Sequence, residues 1–544
     1  MKRIFRGQLV AEGVATALGG NKLMVKMPKK RSSHLTGLLT LPDGQSVFGS
    51  LQIAGSDSRL HLHHGESLAG LRDVRVIHGE LHGQGKITCL NCVVSSTQQG
   101  LGADGRQHHS ANVHVGFVAT GAYHLPEGEA SIRAIQFTTQ DIASVFYDFD
   151  AFGYVVNAGS IIDAVIDAAK PNREISVGES PEILYFSGKT EIVSVETVLG
   201  IFRVFHRPTM SVGGPEDTSL KNHILVRLEF PNSVTFNGCI ERLMSFHRLL
   251  SLLSGRRQTL KAIFLELAED RPERPLLQLR WSFSPKGAKR GDNRSNDAPH
   301  PGDMPLDAIR RPEEFKRVVS EWVSRESGWR TARIRYEGCV RKGNSYDVDR
   351  LVAAANLFDL LPDDAIPRTA ELTSEQVRAQ TECRAIFRRL PDSPERSSVL
   401  GALGRMDKPS LTKKVLYRVG IVNSRLGTWF PDLALAARTA VKIRNFFVHG
   451  SLDGLDYKRL EPLMPFLTDS LEFIFAVSDL ISAGWDADAW GSRHYSSGHS
   501  LTRFRWGYSQ HIAALKAATS RANGEMSGAG TDSAAIASRE PDAG

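Results

Sequence analysis

The sequence predicts a multidomain α+β protein, in which a β-rich N-terminal region is followed by an all-α helical bundle. Short runs of β-branched and aromatic residues between Gly-rich turns occupy the first half, whereas apolar residues at helical spacing occupy the second. A polar segment without periodicity, at residues 285–305, separates them. With 544 residues, the chain is too long for one ordinary domain. Its apolar share of 41% and charged share of 23% are typical of a globular protein.

The first predicted domain, residues 1–180, has the pattern of a β-sandwich or β-barrel. Strand-like runs at 37–41 and 47–53 flank Pro42-Asp43-Gly44, which predicts a strand, a tight turn and a second strand. Short strands separated by turns at this spacing are typical of sandwiches and barrels. Further strands are expected at 74–77, 86–90 and 113–118.

The second predicted part, residues 181–284, is β-rich and contains one long helix. Strands are expected at 192–195, 201–205 and 223–228. The helix is indicated by apolar residues at helical spacing from Ile240 to Leu253, and Gly255 is expected to end it. Residues 285–305 are then expected to form a linker or a long loop.

Residues 306–515 are predicted to form the helical domain, and residues 516–544, rich in Gly, Ala and Ser, a disordered tail. Pro312 opens the first helix, and the N-cap pattern at Thr373 opens another. The remaining helices are expected at 346–361, 410–419, 433–448 and 460–481.

Composition narrows the class of protein and its compartment. Five cysteines are too few for a disulfide framework. No apolar run is long enough to span a bilayer, and Arg6 and Gln8 interrupt any signal-peptide core, so we expect a cytoplasmic protein without membrane contact. The net charge of +7 is compatible with an RNA partner but does not demonstrate one.

The most informative short sequence is the hexapeptide Arg444-Asn445-Phe446-Phe447-Val448-His449. An arginine can hold a phosphate with its planar fork of donors, and a histidine can move a proton near neutral pH. Arginine followed by histidine at similar spacing is common by chance, and only this occurrence has Asn directly after the Arg. The chance matches include Arg59…His64, Arg72…His78 and Arg505…His511.

The predicted position of the hexapeptide is the end of a helix. An apolar stripe leads into it, and Gly450 is the residue type favoured just past a helix end. His449 is then expected in the last turn, beside the negative end of the helix dipole, which favours the imidazolium. Asn445 lies four residues earlier on the same face and could orient the ring. In the alternative interpretation, Arg444 and His449 only cap the helix or pair with acids.

Two sets of residues resemble known families. The Arg-Asn-x-x-x-His sequence, placed in a helix before a long apolar helix, resembles the signature of HEPN ribonuclease domains. Residues 35–41, 86–92 and 135–137 resemble the large β-rich domain of ApeA-type proteins, which are bacterial anti-phage proteins with a C-terminal HEPN domain. The resemblance extends to about residue 515, and only the hexapeptide is sharply specific.

The resemblance implies a metal-independent endoribonuclease of abortive-infection defence, without a cofactor, whose composite cleft lies at a homodimer interface. Arg444 would hold the scissile phosphate, His449 would act as general acid or base, and Asn445 would position it. Attack by the 2′-hydroxyl would leave a 2′,3′-cyclic phosphate. Asp359 is the nearest candidate for the acidic residue that many members have on their first helix, although Glu is more usual there.

The resemblance also implies partners and a means of control. The β-rich region would be a sensor that restrains the nuclease until a phage-encoded trigger appears. RNA is the expected substrate, with tRNA among the candidates. The alternative is a non-catalytic binding or sensor protein in which the HEPN domain only dimerises.

Other clusters allow weaker interpretations. Arg503, Arg505 and Trp506, together with Lys442, could contact RNA, because aromatic rings stack on bases and arginines pair with phosphates; alternatively, the aromatic residues pack on the helical domain. Cys89 and Cys92 form a lone CxxC, whose members would face opposite sides of a strand. We expect no metal there, nor at His61-Leu62-His63-His64 or His108-His109, although a metal-dependent hydrolase in this region is a third alternative.

Overall fold

The computed structural model describes two compact units. The barrel unit contains residues up to Thr139 together with Leu225–Leu243 and Leu260–Pro285, and the helical unit contains Gln140–Ile224, Met244–Thr259 and the chain from Lys286 onward. For residues 212–214, 217 and 521–528, the structure describes only the backbone. The described residues are 33–68, 71, 73–83, 85–101, 105–214, 217–268, 276–286, 299–368, 372–450, 456–494 and 496–528.

In the described part of the chain, the strands lie between Ser33 and Trp281 with three α-helices among them, and the elements after Trp281 are helices. The strands are β1 Ser33–Thr40, β2 Ser46–Ile53, β3 Arg59–His64, β4 Val76–Leu81, β5 Gly85–Leu101, β6 Gln107–Gly121, β7 Ile132–Thr139, β8 Phe152–Val155, β9 Ile183–Phe186, β10 Glu191–Thr197, β11 Gly200–Gly214, β12 Asp217–Val234, β13 Leu260–Leu267 and β14 Leu276–Trp281. The helices are α1 Ile142–Val145, α2 Gly159–Ala169, α3 Phe236–Leu253, α4 Pro312–Ser324, α5 Glu326–Val340, α6 Val348–Asn356, α7 Ser374–Arg389, α8 Pro394–Leu403, α9 Leu411–Leu426, α10 Leu433–His449, α11 Tyr457–Leu460, α12 Met464–Ser482, α13 Ala487–Gly491 and α14 Ser500–Gly528.

A closed antiparallel barrel forms the centre of the barrel unit. Its strands follow the order β6, β3, β2, β1, β4 and β5, and β5 pairs back onto β6 to close the ring. Alternate residues of each strand point inward, because successive side chains of a strand face opposite sides. The sheet continues from β6 through β14, β13 and β7 to β12. The inward-facing core includes Leu39, Val47, Leu60, Leu62, Ile77, Ile87, Val113 and Val115.

Helices α6, α9, α10 and α12 pack against one another in the helical unit. Helix α12 is mostly apolar and is buried along most of its length, as expected of a central helix. Its buried Asp479 accepts hydrogen bonds from both Nε and Nη2 of Arg333 on α5. Burial alone would raise the pKa of the Asp479 carboxyl, but Arg333 and Arg325 beside it hold that pKa below its usual value.

The fold-class prediction is confirmed, since a β-rich region precedes a helical one. Helix α3 matches the predicted helix, and Gly255 follows its end with a φ of +66°. The predicted helix starts at Pro312 and Thr373 also match, and Thr373 forms a full capping box with Gln376. No helix in the described part of the chain is both long and apolar enough to cross a membrane.

Three predicted boundaries differ from the structure. The boundary expected at residue 180 does not divide the units, because β12, β13 and β14 return to the barrel unit late in the sequence. The end of the predicted linker is structured: Asp303 is buried and accepts a hydrogen bond from the Ser496 backbone N–H, whereas residues 287–298 lie outside the described residues. Helix α14 reaches Gly528, so the expectation of a disordered tail from residue 516 is wrong for residues 516–528, where alanines favour a helix. Residues 529–544 lie outside the described residues.

Candidate active site

Helix α10 places the hexapeptide at its C-terminal end. Its apolar side, which includes Ala436, Ala440 and Ile443, is buried, whereas Val448 and His449 are exposed. Gly450 follows with a φ of +71°, a left-handed conformation that glycine adopts without steric cost, and its N–H donates to the Phe446 carbonyl at 2.8 Å. The prediction that His449 occupies the last turn is therefore confirmed.

Arg444 lies at the centre of the contacts in this site. Its Nη1 donates to Oδ1 of Asn445 at 3.0 Å and also contacts Nε2 of His449 at 3.1 Å. Its Nε donates to Oδ1 of Asn356, the last residue of α6, at 3.1 Å. Among the residues that the structure describes, Nη2 of Arg444 makes no hydrogen bond, so one edge of the guanidinium remains available to a ligand.

The contact between Arg444 and His449 involves the Nε2 atom of the imidazole ring. A guanidinium can only donate hydrogen bonds, so this contact is a hydrogen bond only in the tautomer that leaves Nε2 of His449 without a proton. The imidazolium expected from the helix dipole could not accept this hydrogen bond, because both of its ring nitrogens carry protons. The residue that contacts the ring also differs from the prediction, because it is Arg444 rather than Asn445. In this tautomer Nε2 carries the lone pair that a general base needs, and the contact with Arg444 occupies it.

Asn356 is the site residue that sequence reasoning did not single out. The acidic candidate proposed from the sequence, Asp359, instead forms an ion pair with Lys414 at 2.9 Å, and the side chain on this segment that contacts Arg444 is Asn356. A signal was present, since Asn356 is the polar residue that ends an otherwise apolar run on α6. Nothing in the sequence, however, indicated that α6 and the end of α10 meet.

An aromatic group lies beside the hexapeptide. The rings of Phe446 and Phe447 are 5.1 Å apart, and both pack on Tyr457, at 5.9 Å and 5.2 Å between centroids. All three side chains are only partly buried. The end of α10 therefore combines a guanidinium, an imidazole and partly exposed aromatic rings.

The other residues predicted to contact RNA are distributed over two helices. Lys442 is exposed on α10, and Arg503 and Trp506 are exposed on α14. Arg505 instead lies over the indole rings of Trp429 and Trp490, 5.7 Å from each centroid. The packing alternative matches the structure for Phe504 and Tyr508, which are buried against Phe430, whereas Trp506 is 74% exposed.

Cys89 and Cys92 do not face opposite sides of β5. Asn91 has a φ of +52°, which breaks the alternation of the strand, and both thiols point into the barrel core. Burial raises the pKa of the Cys92 thiol to about 12 and that of Cys89 well above its ordinary value. The pair is therefore a component of the apolar core, where the thiolate form is strongly disfavoured.

The predicted histidine clusters come together at one end of the barrel. His63, His64, His108 and His109 line an open cleft of about 490 Å³ together with Gln98 and Gln99. The strand register explains this, since His64 lies opposite His109 and His109 lies opposite Gln99. In the described residues, no group of three or more His, Cys, Asp or Glu side chains is arranged to hold a metal ion.

Comparison with known families assigns both halves of the chain. A family model described as ApeA N-terminal domain 1 matches residues 34–322, which is more than half of the sequence. The chain belongs to the ApeA family. A second model, described as Apea-like HEPN, matches residues 352–489 and includes Asn356, Arg444 and His449. No curated protein and no solved structure matches the chain.

The two matches confirm the predicted family and place its domains. The N-terminal match of this ApeA-family protein extends beyond the predicted linker and includes most of α4. The HEPN match begins within α6 and ends within α13, so α14 lies beyond it. HEPN domains are in general ribonucleases, and they commonly bind RNA and dimerise.

Proposed function

We propose that this ApeA-family protein is a metal-independent endoribonuclease of anti-phage defence, and that the end of α10 is its catalytic site. The observation that supports this most directly is the contact of Arg444 with Nε2 of His449, next to Asn445. A group that binds phosphate and a group that accepts a proton are thus within 3.1 Å of each other at an exposed helix end.

The proposed reaction uses the RNA 2′-hydroxyl as the nucleophile. Arg444 binds a non-bridging phosphate oxygen, and Nε2 of His449 takes the proton of the 2′-hydroxyl as the O2′–phosphorus bond forms. The bond from phosphorus to the 5′-oxygen breaks, and that oxygen leaves with a proton from a general acid. The products are a 2′,3′-cyclic phosphate and a 5′-hydroxyl end. Phe446, Phe447 and Tyr457 could stack on the flanking bases.

Two copies of the chain would supply the acid and the base. Nucleophile and leaving group lie on opposite sides of the phosphorus in an in-line displacement, so one imidazole reaches both with difficulty. Val448 and His449 are exposed at the helix end, where a second copy could bring its own His449. We therefore propose a homodimer with a composite cleft, restrained by the N-terminal domain until a phage-encoded trigger binds.

The decisive experiment compares four variants of the full chain on RNA in the presence of EDTA. Arg444→Ala and His449→Ala should each lower cleavage at least about 100-fold, as expected when a charge-stabilising donor or the base is removed. Arg438→Ala, at an exposed position of the same helix, and His511→Ala, in a chance match of the spacing, should cleave like the parent.

The products and the assembly provide separate tests. RNA fragments should have 5′-hydroxyl and 2′,3′-cyclic phosphate ends, and sedimentation should show a dimer. A His449→Ala protein as active as the parent would exclude this mechanism. An inactive parent that still dimerises, with and without phage infection, would favour the non-catalytic binding protein.

A further inference from the structure

Residues 147–187, here called the β8–β9 segment, contain the densest group of exposed apolar side chains in the described chain. Ten of the 26 exposed large apolar residues lie in this stretch, including Tyr154 at 70% and Leu184 at 58% exposure. Several of them are neighbours in space, since Tyr154 lies opposite Leu184 in the sheet and Tyr147 packs on Phe149. Isolated exposed apolar residues are normal, but a group of neighbours marks an interaction surface. The ten are Tyr147, Phe149, Tyr154, Val155, Val156, Ile161, Val165, Val177, Leu184 and Tyr185.

The β8–β9 segment cannot cover its own apolar surface. Strands β8 and β9 form a separate two-stranded antiparallel sheet, and α2 lies between them in sequence. Helix α2 has apolar residues at helical spacing, yet none of its residues is fully buried. Neither a two-stranded hairpin nor a helix of this length is stable alone in water, so the segment depends on packing against something else.

The base of the segment is well anchored. Phe152 and Phe186 stack at 4.8 Å, and both rings pack against the buried His206. The buried Asp148 carboxylate accepts a hydrogen bond from the Lys189 ammonium at 2.8 Å. These contacts hold β8 and β9 at both ends of the segment, and Tyr154 and Leu184 remain exposed on these two strands.

The charge of the segment indicates what could cover it. Within residues 147–187, the exposed side chains include six Asp and Glu residues and two basic residues, Lys170 and Arg173, whereas the whole chain has a net charge of +7. Asp163 and Asp167 lie on α2 beside Ile162 and Ile166. A surface of this sign repels RNA and anionic membranes and attracts basic side chains.

We propose that the β8–β9 segment is a docking surface for a protein partner whose contact region combines apolar with basic side chains, as in a basic amphipathic helix. Apolar contacts would provide most of the affinity, and the acidic rim would select the sign of the partner's charge. This surface is independent of the proposed ribonuclease site, so its failure and the failure of that proposal are distinguishable.

The test measures the binding of two synthetic 18-residue peptides to the full chain by fluorescence anisotropy. One peptide places Leu on one helical face and Lys on the other, and the second replaces each Lys by Glu. We expect the Leu/Lys peptide to bind at least tenfold more tightly. The triple variant Ile161→Ser, Val165→Ser, Tyr185→Ser should weaken this binding at least tenfold, and Asp163→Asn with Asp167→Asn should reduce the preference for Lys.

A matched control removes exposed apolar side chains elsewhere in the same unit. Val198→Ser with Met210→Ser should bind like the parent, and all variants should cleave RNA as the parent does. Equal binding of the two peptides, or a triple variant that binds as tightly as the control, would overturn the proposal. So would a parent dimer that the triple variant dissociates, since the surface would then be an interface between copies of this chain.

Discussion

Replacing Asn356 by Ala tests whether Arg444 must be held from α6 to act. The side chain of Asn356 accepts a hydrogen bond from Arg444 Nε at 3.1 Å, and both side chains are half-buried. A hydrogen bond from a charged donor contributes about 1.5–3 kcal/mol when it is well shielded. Water can partly replace the acceptor at a half-buried position, so we expect Asn356→Ala to lose only about 1 kcal/mol of this stabilisation of Arg444.

This free energy converts into a moderate effect on cleavage. A loss of about 1 kcal/mol in the transition state corresponds to roughly a fivefold lower rate. Removal of the guanidinium itself, in Arg444→Ala, should lower the cleavage rate by a factor of about 10²–10³. Asn356→Ala should therefore fall between the parent and Arg444→Ala, whereas Asn356→Asp, which keeps an acceptor and adds a negative charge, should stay close to the parent.

The assay is single-turnover cleavage of RNA, with urea unfolding of each variant as the measure of stability. Asn423→Ala, which changes an exposed asparagine on α9, is the matched control and should have no effect. The reasoning is refuted if Asn356→Asp is as slow as Asn356→Ala, because a lost acceptor could not then be the cause. A rate for Asn356→Ala within experimental error of the parent would show that Arg444 needs no support from α6.

Two further predictions concern stability. Burial lowers the pKa of His499 to about 4. In the unfolded chain, the imidazole takes up a proton near pH 6.5, so the free energy of unfolding should fall by up to about 3 kcal/mol as the pH drops from about 6.5 to 4. Urea unfolding of His499→Gln should show a correspondingly smaller pH dependence, and an equal dependence would contradict the assignment. Gly450→Ala should lower the free energy of unfolding by about 1–2 kcal/mol, because a residue with a side chain is strained at a φ of +71° even though the space around it is open. The control Gly420→Ala, within α9, should not be destabilising.

Local signals in the sequence were sufficient for the helix that holds the candidate site. The apolar stripe of α10 and Gly450 after it determine where the helix lies and where it ends, and both depend on residues close in sequence. The partner of Arg444 could not be found in this way. Asn356 is 88 residues away, and its contact depends on how α6 packs on α10, which no periodicity reports.

The errors in the barrel unit have a similar origin. Alternation along a strand predicts that Cys89 and Cys92 face opposite sides, and the prediction fails because Asn91 adopts a left-handed conformation that its residue type permits but does not require. The boundary at residue 180 fails because strands from residue 225 onward return to pair beside β7. In both cases, a tertiary requirement overrides the local pattern.

The Arg444–His449 contact suggests an order of events for the proposed reaction. In this arrangement, the guanidinium occupies the Nε2 lone pair of His449, the atom that would have to take the 2′-hydroxyl proton. An RNA phosphate that draws Arg444 toward itself would break this contact and expose the base at the same moment. Substrate binding would then activate His449, since a charged phosphate is a stronger acceptor for arginine than a neutral imidazole. The exposed site would thus hold its base paired until a phosphate arrives.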